Sequence, residues 1–575
     1  MENVVLFNGK AGGGNKDGGG SAKKSPAECP VRAIGFNDGI YYYVTPSGSL
    51  RHLAAQKHSH NNIFSLFEDR GDWLYDTYPK ASSRSNAANW NAIEVGEYLM
   101  TEAAKVGLVD LEQSLRGFGV WRGRDGKLII HCGDKLQVND EWQDAGQKIE
   151  DRFFIALPAI DRPADREATG PEIQKLFRFI QNSWAWDNFD GDPRLLLGWI
   201  GCGALAGALK WRPHVWLTAD RGAGKSKLDE LVQSMLGSGA DKVSDPTSAG
   251  VRGILGVSAR GILADEVEPG DNRRAEGMIE LARMASTDSQ GAVVRGTSDG
   301  RTQRFPIRAC FLFSSILVPK FRPQDFGRIT IVEMKSLPDK SAAEIRDFEV
   351  MFKELCALGA TVRRRMINAF PRFEANLDTY SALMAADGNS RRAADQIATL
   401  LAMADAILLD DVVDHPAARE VLSKLDISAL TGGDEIGDDK ECLQHLLSSK
   451  MLVRFAEGTK DFTIGELIEE CPPKHSDWHN RHLRQNGISV VAEHGVEYLL
   501  ISNTHTQLKR IFKDTPWASG GHSRVLKRLP YSQNGITKTV SFAGFKSAAT
   551  WLSLADMPIT RQVDVPIEGE ENGGL

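Results

Sequence analysis

The most constraining stretch of this chain runs from Pro213 to about Leu236. Pro213-His214-Val215-Trp216-Leu217-Thr218 is a short apolar run of strand type. It passes directly into Ala219-Asp220-Arg221-Gly222-Ala223-Gly224-Lys225-Ser226, and KLDELVQSML follows with helical periodicity. Strand, glycine-rich loop, Gly-Lys-Ser and helix in this order form a phosphate cradle, the P-loop layout. Small residues let successive backbone N–H groups close around phosphate oxygens at a helix N-terminus, where the helix dipole favours negative charge. Gly222, Ala223, Gly224, Lys225, Ser226 and Lys227 are therefore the expected nucleotide contacts. Lys225 would reach the β- and γ-phosphates of ATP, and the Ser226 hydroxyl would ligate Mg²⁺. Ala219 stands where the pattern has its first Gly. The departure is mild, because Gly222 and Gly224 keep the freedom nearest the phosphates. A chance glycine-rich turn would lack the flanking strand and helix.

Gly261-Ile262-Leu263-Ala264-Asp265-Glu266 follows, an apolar strand ending in two carboxylates, with Asp265 forty residues after Lys225. This is the Walker B form. Asp265 is expected to hold the hydrated Mg²⁺ and Glu266 to polarise the attacking water. Either motif alone would be weak; together they point to hydrolysis of a nucleoside triphosphate.

Composition bounds what surrounds this chemistry. With 575 residues, about three or four domains are expected. Sixty-nine Lys+Arg against 76 Asp+Glu leave a net charge of −7, which excludes a globally basic coat. Contact with nucleic acid must come from local Arg and Lys placement. No run of about 18 apolar residues occurs, and the N-terminus lacks the basic-then-apolar order of a signal peptide. A soluble cytoplasmic protein without a membrane partner is expected. Seven cysteines, scattered from Cys29 to Cys471 with no Cys-x-x-Cys pair, fit reduced thiols.

The chain divides by pattern. Residues 1–28, rich in Gly, Ser and Lys, read as a flexible tether. Residues 29–161 read as a small α+β accessory domain, with turns at Asn37-Asp38-Gly39, Pro46-Ser47-Gly48 and Asp125-Gly126 and a helix around Asn91 to Val106. Residues 170–212 form a helical linker, with Ile173, Leu176, Phe177 and Ile180 at helical spacing before the apolar LLLGWIGCGALAGAL. Residues 213–340 are the α/β core, and 341–455 a helical lid and bundle whose Arg363-Arg364-Arg365 reads as a solvated face. Residues 456–560, two helices and then a hairpin turning at Glu493-His494-Gly495, read as a winged-helix-like module that binds duplex DNA or protein. Trp517, Arg524, Lys527 and Arg528 would extend that surface. Cys471, His475, His479 and His482 lack the paired spacing of a closed zinc site and read as a histidine-rich helix surface. Residues 561–575 read as an acidic disordered tail.

Within the core, AVVRGTSDGRTQRFPIRA turns at Ser298-Asp299-Gly300 as a hairpin, with Arg295, Arg301 and Arg304 on or beside its tip. An apolar strand from Arg308 to Phe313 then ends at Ser314-Ser315, and Asp325-Phe326-Gly327-Arg328 precedes ITIVEM. This order resembles the AAA+ ring ATPases, specifically the superfamily 3-like helicases of phage and mobile-element replication. GFNDGIYYYV, RGFGVW and LLGWI are similar to the N-terminal part of prophage primase-helicase proteins, so the likeness spans most of residues 30–335. It implies an α/β P-loop NTPase core of AAA+ type, flanked by the N-terminal α+β accessory domain, a helical linker and lid, and the winged-helix-like α+β region. It also implies an ATP-dependent DNA helicase or translocase working as a ring, a hexamer, in the bacterial cytoplasm. The hairpin arginines would grip single-stranded or forked DNA. Ser314 or Ser315, with Ser315 preferred, would sense the γ-phosphate where the family usually has Asn. Arg328 would reach the neighbouring subunit's ATP, completing a catalytic set of Lys225, Glu266, Arg328 and Ser315. Priming would reside in a separate primase, since no Cys-x-x-Cys zinc ribbon or acidic catalytic domain precedes the ATPase. A non-unwinding P-loop ATPase of a regulatory or defence system would keep Lys225, Asp265 and Glu266, but DNA would not stimulate it. A packaging motor would add a nuclease carboxylate cluster, and none is visible.

Overall fold

The computed structural model describes residues 28–80, 89–220, 222–267, 272–287, 293–296, 302–305, 307–317, 321, 325, 327–338, 341–430, 438–455, 458–474, 477–513, 515–533 and 538–557. They fall into two compact units. One takes the described residues of 1–320 and 328–425, the other those of 321–327 and 426–575.

The first unit is built on a six-stranded sheet. Its strands are β1 (Ala185–Trp186), β2 (His214–Ala219), β3 (Asp241–Ser244), β4 (Ala259–Asp265), β5 (Arg308–Ser315) and β6 (Ile329–Lys335). Their spatial order is β1-β6-β2-β5-β4-β3. All pairs are parallel except β1, which runs antiparallel to β6 at the edge. A parallel sheet is covered on both faces, so its central strands read as unbroken apolar runs rather than as alternation. Every residue of β2 is buried, and so is every residue of β5 after Arg308.

Among the helices around the sheet are α1 (Gly170–Ser183), α2 (Asp192–Ala204), α3 (Lys225–Leu236), α4 (Ala342–Cys356), α5 (Gly359–Asn368) and α6 (Arg391–Leu408). Thr169 and Glu172 close a reciprocal capping box at the start of α1, and Ile173, Leu176, Phe177 and Ile180 form its buried face. In α2 the apolar run is buried on all sides. A Cβ on Gly198 would lie 2.0 Å from the Leu400 carbonyl oxygen of α6, so glycine there sets how closely these helices cross. No helix among the described residues is long and apolar enough to span a membrane. All seven cysteines are free thiols.

The 29–161 region belongs to this unit rather than standing apart. Its meander (Arg32–Asn37, Ile40–Val44, Leu50–Ala54), its helix Ala92–Val106 and its four strands between Gly119 and Asp144 follow the turn signals. The loop before those four strands docks directly on the sheet. Gly117 N donates to Val257 O at 3.0 Å, Ala259 N donates to Phe118 O at 2.8 Å, and the Arg260 guanidinium lies 4.2 Å from the Phe118 ring centroid.

One expectation is overturned in α5. Arg363, Arg364 and Arg365 do not form a solvated face. Arg363 Nη1 donates to Ser234 O and Met235 O at the C-terminal end of α3, at 3.3 and 3.2 Å. Arg364 Nε donates to Ala164 O at 2.7 Å, and its Nη1 to Gln137 Oε1 at 3.0 Å. Arg365, only 1 % exposed, donates to Ile407 O, Ala168 O, Leu409 O and Asp410 Oδ1. Helix ends leave carbonyls without partners. Arg363 and Arg365 satisfy such carbonyls at the ends of α3 and α6, Arg364 holds a loop carbonyl and a side-chain amide, and the three tie accessory region, α3 and helical bundle together.

The second unit begins at Asp426, upstream of the expected boundary at 456. It contains helix Asp438–Ser448, the hairpin Lys450–Phe455/Gly458–Thr463, and helices Ile464–Glu469 and Trp478–Gln485. The hairpin Ile488–Glu493/Val496–Ser502 follows, turning through His494 and Gly495 at φ 52° and 77°. That hairpin is not a free wing: Phe545–Ser553 and Thr539–Phe542 extend it to four strands. Trp517 is a core residue at 5 % exposure, not part of a DNA-facing surface. Arg524, Lys527 and Arg528 are exposed, and His475 lies outside the described residues.

Candidate functional site: a phosphate cradle beside two carboxylates

The cradle forms at the carboxyl end of β2, next to the point where the chain switches sides of the sheet; α/β sheets bind ligands at such crevices. Gly222 and Gly224 sit at φ 84° and 83°, a left-handed region that side chains resist and glycine enters freely. Gly224 occupies the N-cap position of α3, and no side chain caps that helix. The first turn holds no acidic residue, only Lys225, Ser226 and Lys227. Its N–H groups therefore face a site suited to an anion. The Trp184 Nε1 donates to Gly224 O at 3.0 Å and fixes the loop from behind. The Trp184 ring is in turn held edge-on by Phe179 of α1 and Phe348 of α4, with centroids at 5.8 and 6.0 Å.

One strand, β5, separates β2 from β4. Two strand spacings put roughly 10 Å between the cradle strand and the Walker B strand, room for phosphates and a hydrated ion. Asp265 closes β4. Its Oδ1 accepts from Glu266 N at 3.0 Å, and its Oδ2 lies 3.7 Å from Lys242 Nζ of β3. Glu266 follows, exposed and at φ 59°, a conformation that costs a non-glycine residue about 1 kcal/mol or more and recurs at functional sites. Lys242 also pairs with Asp229 Oδ2 at 3.0 Å. Asp229 belongs to α3 and is 2 % exposed. Burial pushes its carboxyl up, while the charges of Lys242 and Lys225 work against that. Burial also opposes the charge on Lys242, but Asp229 and Asp265 hold its ammonium above the ordinary lysine value. The Ser226 hydroxyl and the Asp265 carboxylate are hard oxygen donors of the kind Mg²⁺ takes. An ammonium already stands beside Asp265, so the place suits a cation.

The remaining expected residues separate. Ala264 of β4 aligns with Phe313 of β5, so Asp265 and Ser314 are neighbours on one face of the sheet. The Ser314 hydroxyl is buried and has no hydrogen-bond partner among the described residues. Ser315 lies on the opposite face, where its Oγ accepts from Trp216 Nε1 at 2.8 Å and donates to Leu317 O at 2.6 Å. Lys227 turns towards α4: it sits 3.3 Å from both Glu230 and Glu349, with its ammonium 4.7 Å from the Phe352 ring centroid. Arg328 is 4 % exposed and precedes β6, whose Ile329 aligns with His214 at the amino end of β2. Burial drives the His214 imidazole down to about 3, with Arg212 and Arg328 adding to the effect. Arg328 therefore lies at the foot of the sheet, about 16 Å along the strand from its own cradle. The hairpin pairs Val293–Gly296 with Thr302–Phe305, with Arg295 opposite Gln303 and Arg304 opposite Val294. Arg301, the 297–300 tip and Arg221 lie outside the described residues.

Lys242, Asp229 and Trp184 escaped the sequence reading. Asp229 left a signal, since it falls among Leu228, Leu231 and Val232 on the buried face of α3, and a buried carboxylate requires a partner. Lys242 left almost none: DKVS has one apolar residue and forms an edge strand only by pairing with β4. Nothing in the sequence places Trp184 beside Gly224, 40 residues away.

No family model and no curated protein matches this chain. Among solved structures, one described as "SCCmec type IV Cch - active helicase" aligns with a TM-score of 0.44 and 12 % identity, covering 92 % of this chain and 93 % of that one. Another, described as "The apo structure of NrS-1 C terminal region (305-718)", aligns with a TM-score of 0.34 and 11 % identity, covering 91 % and 96 %.

Proposed function

We propose that the chain is a Mg²⁺-dependent ATPase acting as a DNA helicase or translocase in phage or mobile-element replication. One observation carries the ATPase reading: the uncapped Gly-Lys-Ser turn and the Asp265-Glu266 pair converge at the carboxyl ends of β2 and β4, with one strand between them. Lys225 and the first-turn N–H groups of α3 would bind and orient the β- and γ-phosphates. Ser226 and Asp265 would hold the Mg²⁺, which supplies neutralising charge to the phosphates. Glu266 would accept the proton of the attacking water. Ser314, on the face of Asp265, is better placed than Ser315 to meet the γ-phosphate. The DNA-directed part of the reading rests on the Arg295, Arg301 and Arg304 hairpin, inserted between the Walker B strand and β5. In a ring, a hexamer, it would face the central channel and single-stranded or forked DNA, with a separate primase as partner.

Burial of Arg328 favours a second reading. A finger that serves a neighbour's ATP must be free to leave its own chain, and this one is packed at the foot of β6. A P-loop ATPase that hydrolyses without a ring-borne finger, in a regulatory or defence setting, has no such requirement. ATPase rate with and without single-stranded DNA, measured together with mass by light scattering, separates the two. A helicase is expected to assemble and to be stimulated; a monomer indifferent to DNA sinks that reading. Lys225→Ala should lose nucleotide binding and turnover, while Glu266→Gln should bind ATP and not hydrolyse it. Near-native turnover in Lys225→Ala would remove the P-loop assignment.

A further inference from the structure

Lys242 lies between two carboxylates on different elements. Its ammonium is 3.0 Å from Asp229 Oδ2 of the cradle helix and 3.7 Å from Asp265 Oδ2 of β4. Asp229 is shut away from water, while Asp265 and Lys242 keep about a quarter and a third of their side chains exposed, at 27 % and 35 %. A lysine whose only duty was to neutralise Asp229 would have no cause to lean towards the residue that closes the Walker B strand. Asp265 is doubly held, by Lys242 on one oxygen and by the Glu266 N–H on the other. Without the ammonium, two carboxylates would face one small space, the arrangement that draws a divalent cation from solution.

We propose that Lys242 is a positioning residue that serves as the resident cation of the metal site. It occupies the negative field of Asp229 and Asp265 while nucleotide is absent, so that Asp265 takes up a divalent ion together with nucleotide phosphates and not before. Mg²⁺ dehydrates reluctantly and is usually held by one or two carboxylates plus substrate phosphates. An internal ammonium reinforces that order by making the protein's own share of the site too weak to hold metal alone. The inference rests on Asp265 being a metal ligand.

The test measures Mn²⁺ binding to the full-length protein by the EPR signal of free Mn²⁺, with and without ATP, and follows Tm as Mn²⁺ is added. Wild type and Lys242→Arg should bind Mn²⁺ weakly without nucleotide. Lys242→Met should bind it at least tenfold tighter without nucleotide and gain Tm on Mn²⁺ addition, and adding Asp265→Asn should abolish that gain. Lys242→Met leaves Asp229 buried and unpaired, which threatens folding. Asp229→Asn/Lys242→Met removes the pair as a unit and should still bind Mn²⁺ at least threefold tighter than wild type, because Asp265 is uncovered. If both Met variants bind no tighter than wild type, Lys242 is only the counterion of Asp229 and the inference is overturned. A gain that survives Asp265→Asn overturns it equally. Asp265→Asn measured with ATP present tests the premise separately. If Mn²⁺ binding then stays at the wild-type level, the metal-ligand reading fails; if it weakens while Lys242→Met shows no gain, only the inference fails.

Discussion

Two glycines at nearly the same φ offer a controlled perturbation of the cradle. Gly222 and Gly224 sit at 84° and 83°, so alanine at either pays the left-handed penalty of about 1 kcal/mol. They differ in what a new Cβ meets. At Gly222 nothing among the described residues lies within 4 Å; at Gly224 the Cβ would lie 2.9 Å from Trp184 Nε1. That indole cannot simply swing aside, since it is buried, packed by Phe179 and Phe348, and donating to Gly224 O. Displacing it forfeits a hydrogen bond with a net contribution of about 1 kcal/mol. Gly222→Ala should therefore weaken nucleotide binding about fivefold, and Gly224→Ala, at about 2 kcal/mol, roughly thirtyfold. Isothermal titration with ATP under non-hydrolysing conditions, in the Glu266→Gln background, measures both. Trp184→Phe keeps the ring and removes the donor, and should cost about fivefold alone. In that background the excess cost of Gly224→Ala over Gly222→Ala should shrink, because part of the clash is already gone. Equal affinities for the two alanine variants, or an undiminished excess in Trp184→Phe, would refute the claim that the indole orders the cradle.

Arg365→Met should lower stability by about 3 kcal/mol in thermal unfolding, because it strands the buried carbonyls of Ile407 and Ala168 and removes the donor to the part-buried Leu409 carbonyl; a change near zero would restore the solvated-face reading. Asp192 is 3 % exposed, and burial raises its carboxyl from 3.8 to about 7, with the charges of Asp187 and Glu333 adding to the shift. The native state then binds more protons than the unfolded chain between those values, so stability should fall as pH rises across that window, by about 4 kcal/mol in total. Asp192→Asn should flatten the profile of denaturant midpoint against pH, and an unchanged profile would remove Asp192 as its source. Changing Arg301 and Arg304 together to Ala should make the salt slope of log K for single-stranded DNA shallower by roughly 0.7 for each phosphate that is no longer neutralised. Basal ATPase should persist, and an unaltered slope would exclude those two side chains from the phosphate backbone.

What was legible in the sequence was local. Residues 213–236 dictate a strand, a left-handed glycine turn and an uncapped helix start because each depends on neighbours a few positions away. The apolar GILAD run ending in Asp265-Glu266 is of the same kind. The helical face of Ile173, Leu176, Phe177 and Ile180 and the turns at Asp125-Gly126 and His494-Gly495 were equally readable, since periodicity and turn chemistry are short-range properties. Tertiary structure decided everything that depends on which elements become neighbours. It inserted β5 between β2 and β4, and the pleat of β5 then sent Ser315 to Trp216 and left Ser314 beside Asp265. Three adjacent arginines read as solvated because a charge run usually is, yet in the fold α5 lies where α3 and α6 end and their carbonyls lack donors. Arg328 keeps the same sequence context whether buried or free; only the packing at the foot of β6 distinguishes the two. Lys242 is the clearest instance. Its neighbours in sequence say little, and its role exists only because β3 pairs with β4 and brings its ammonium between carboxylates 13 positions before it and 23 after it. Propensity and capping act over one or two turns of chain, whereas desolvation and charge pairing act through space, so the first can be read from order alone and the second cannot.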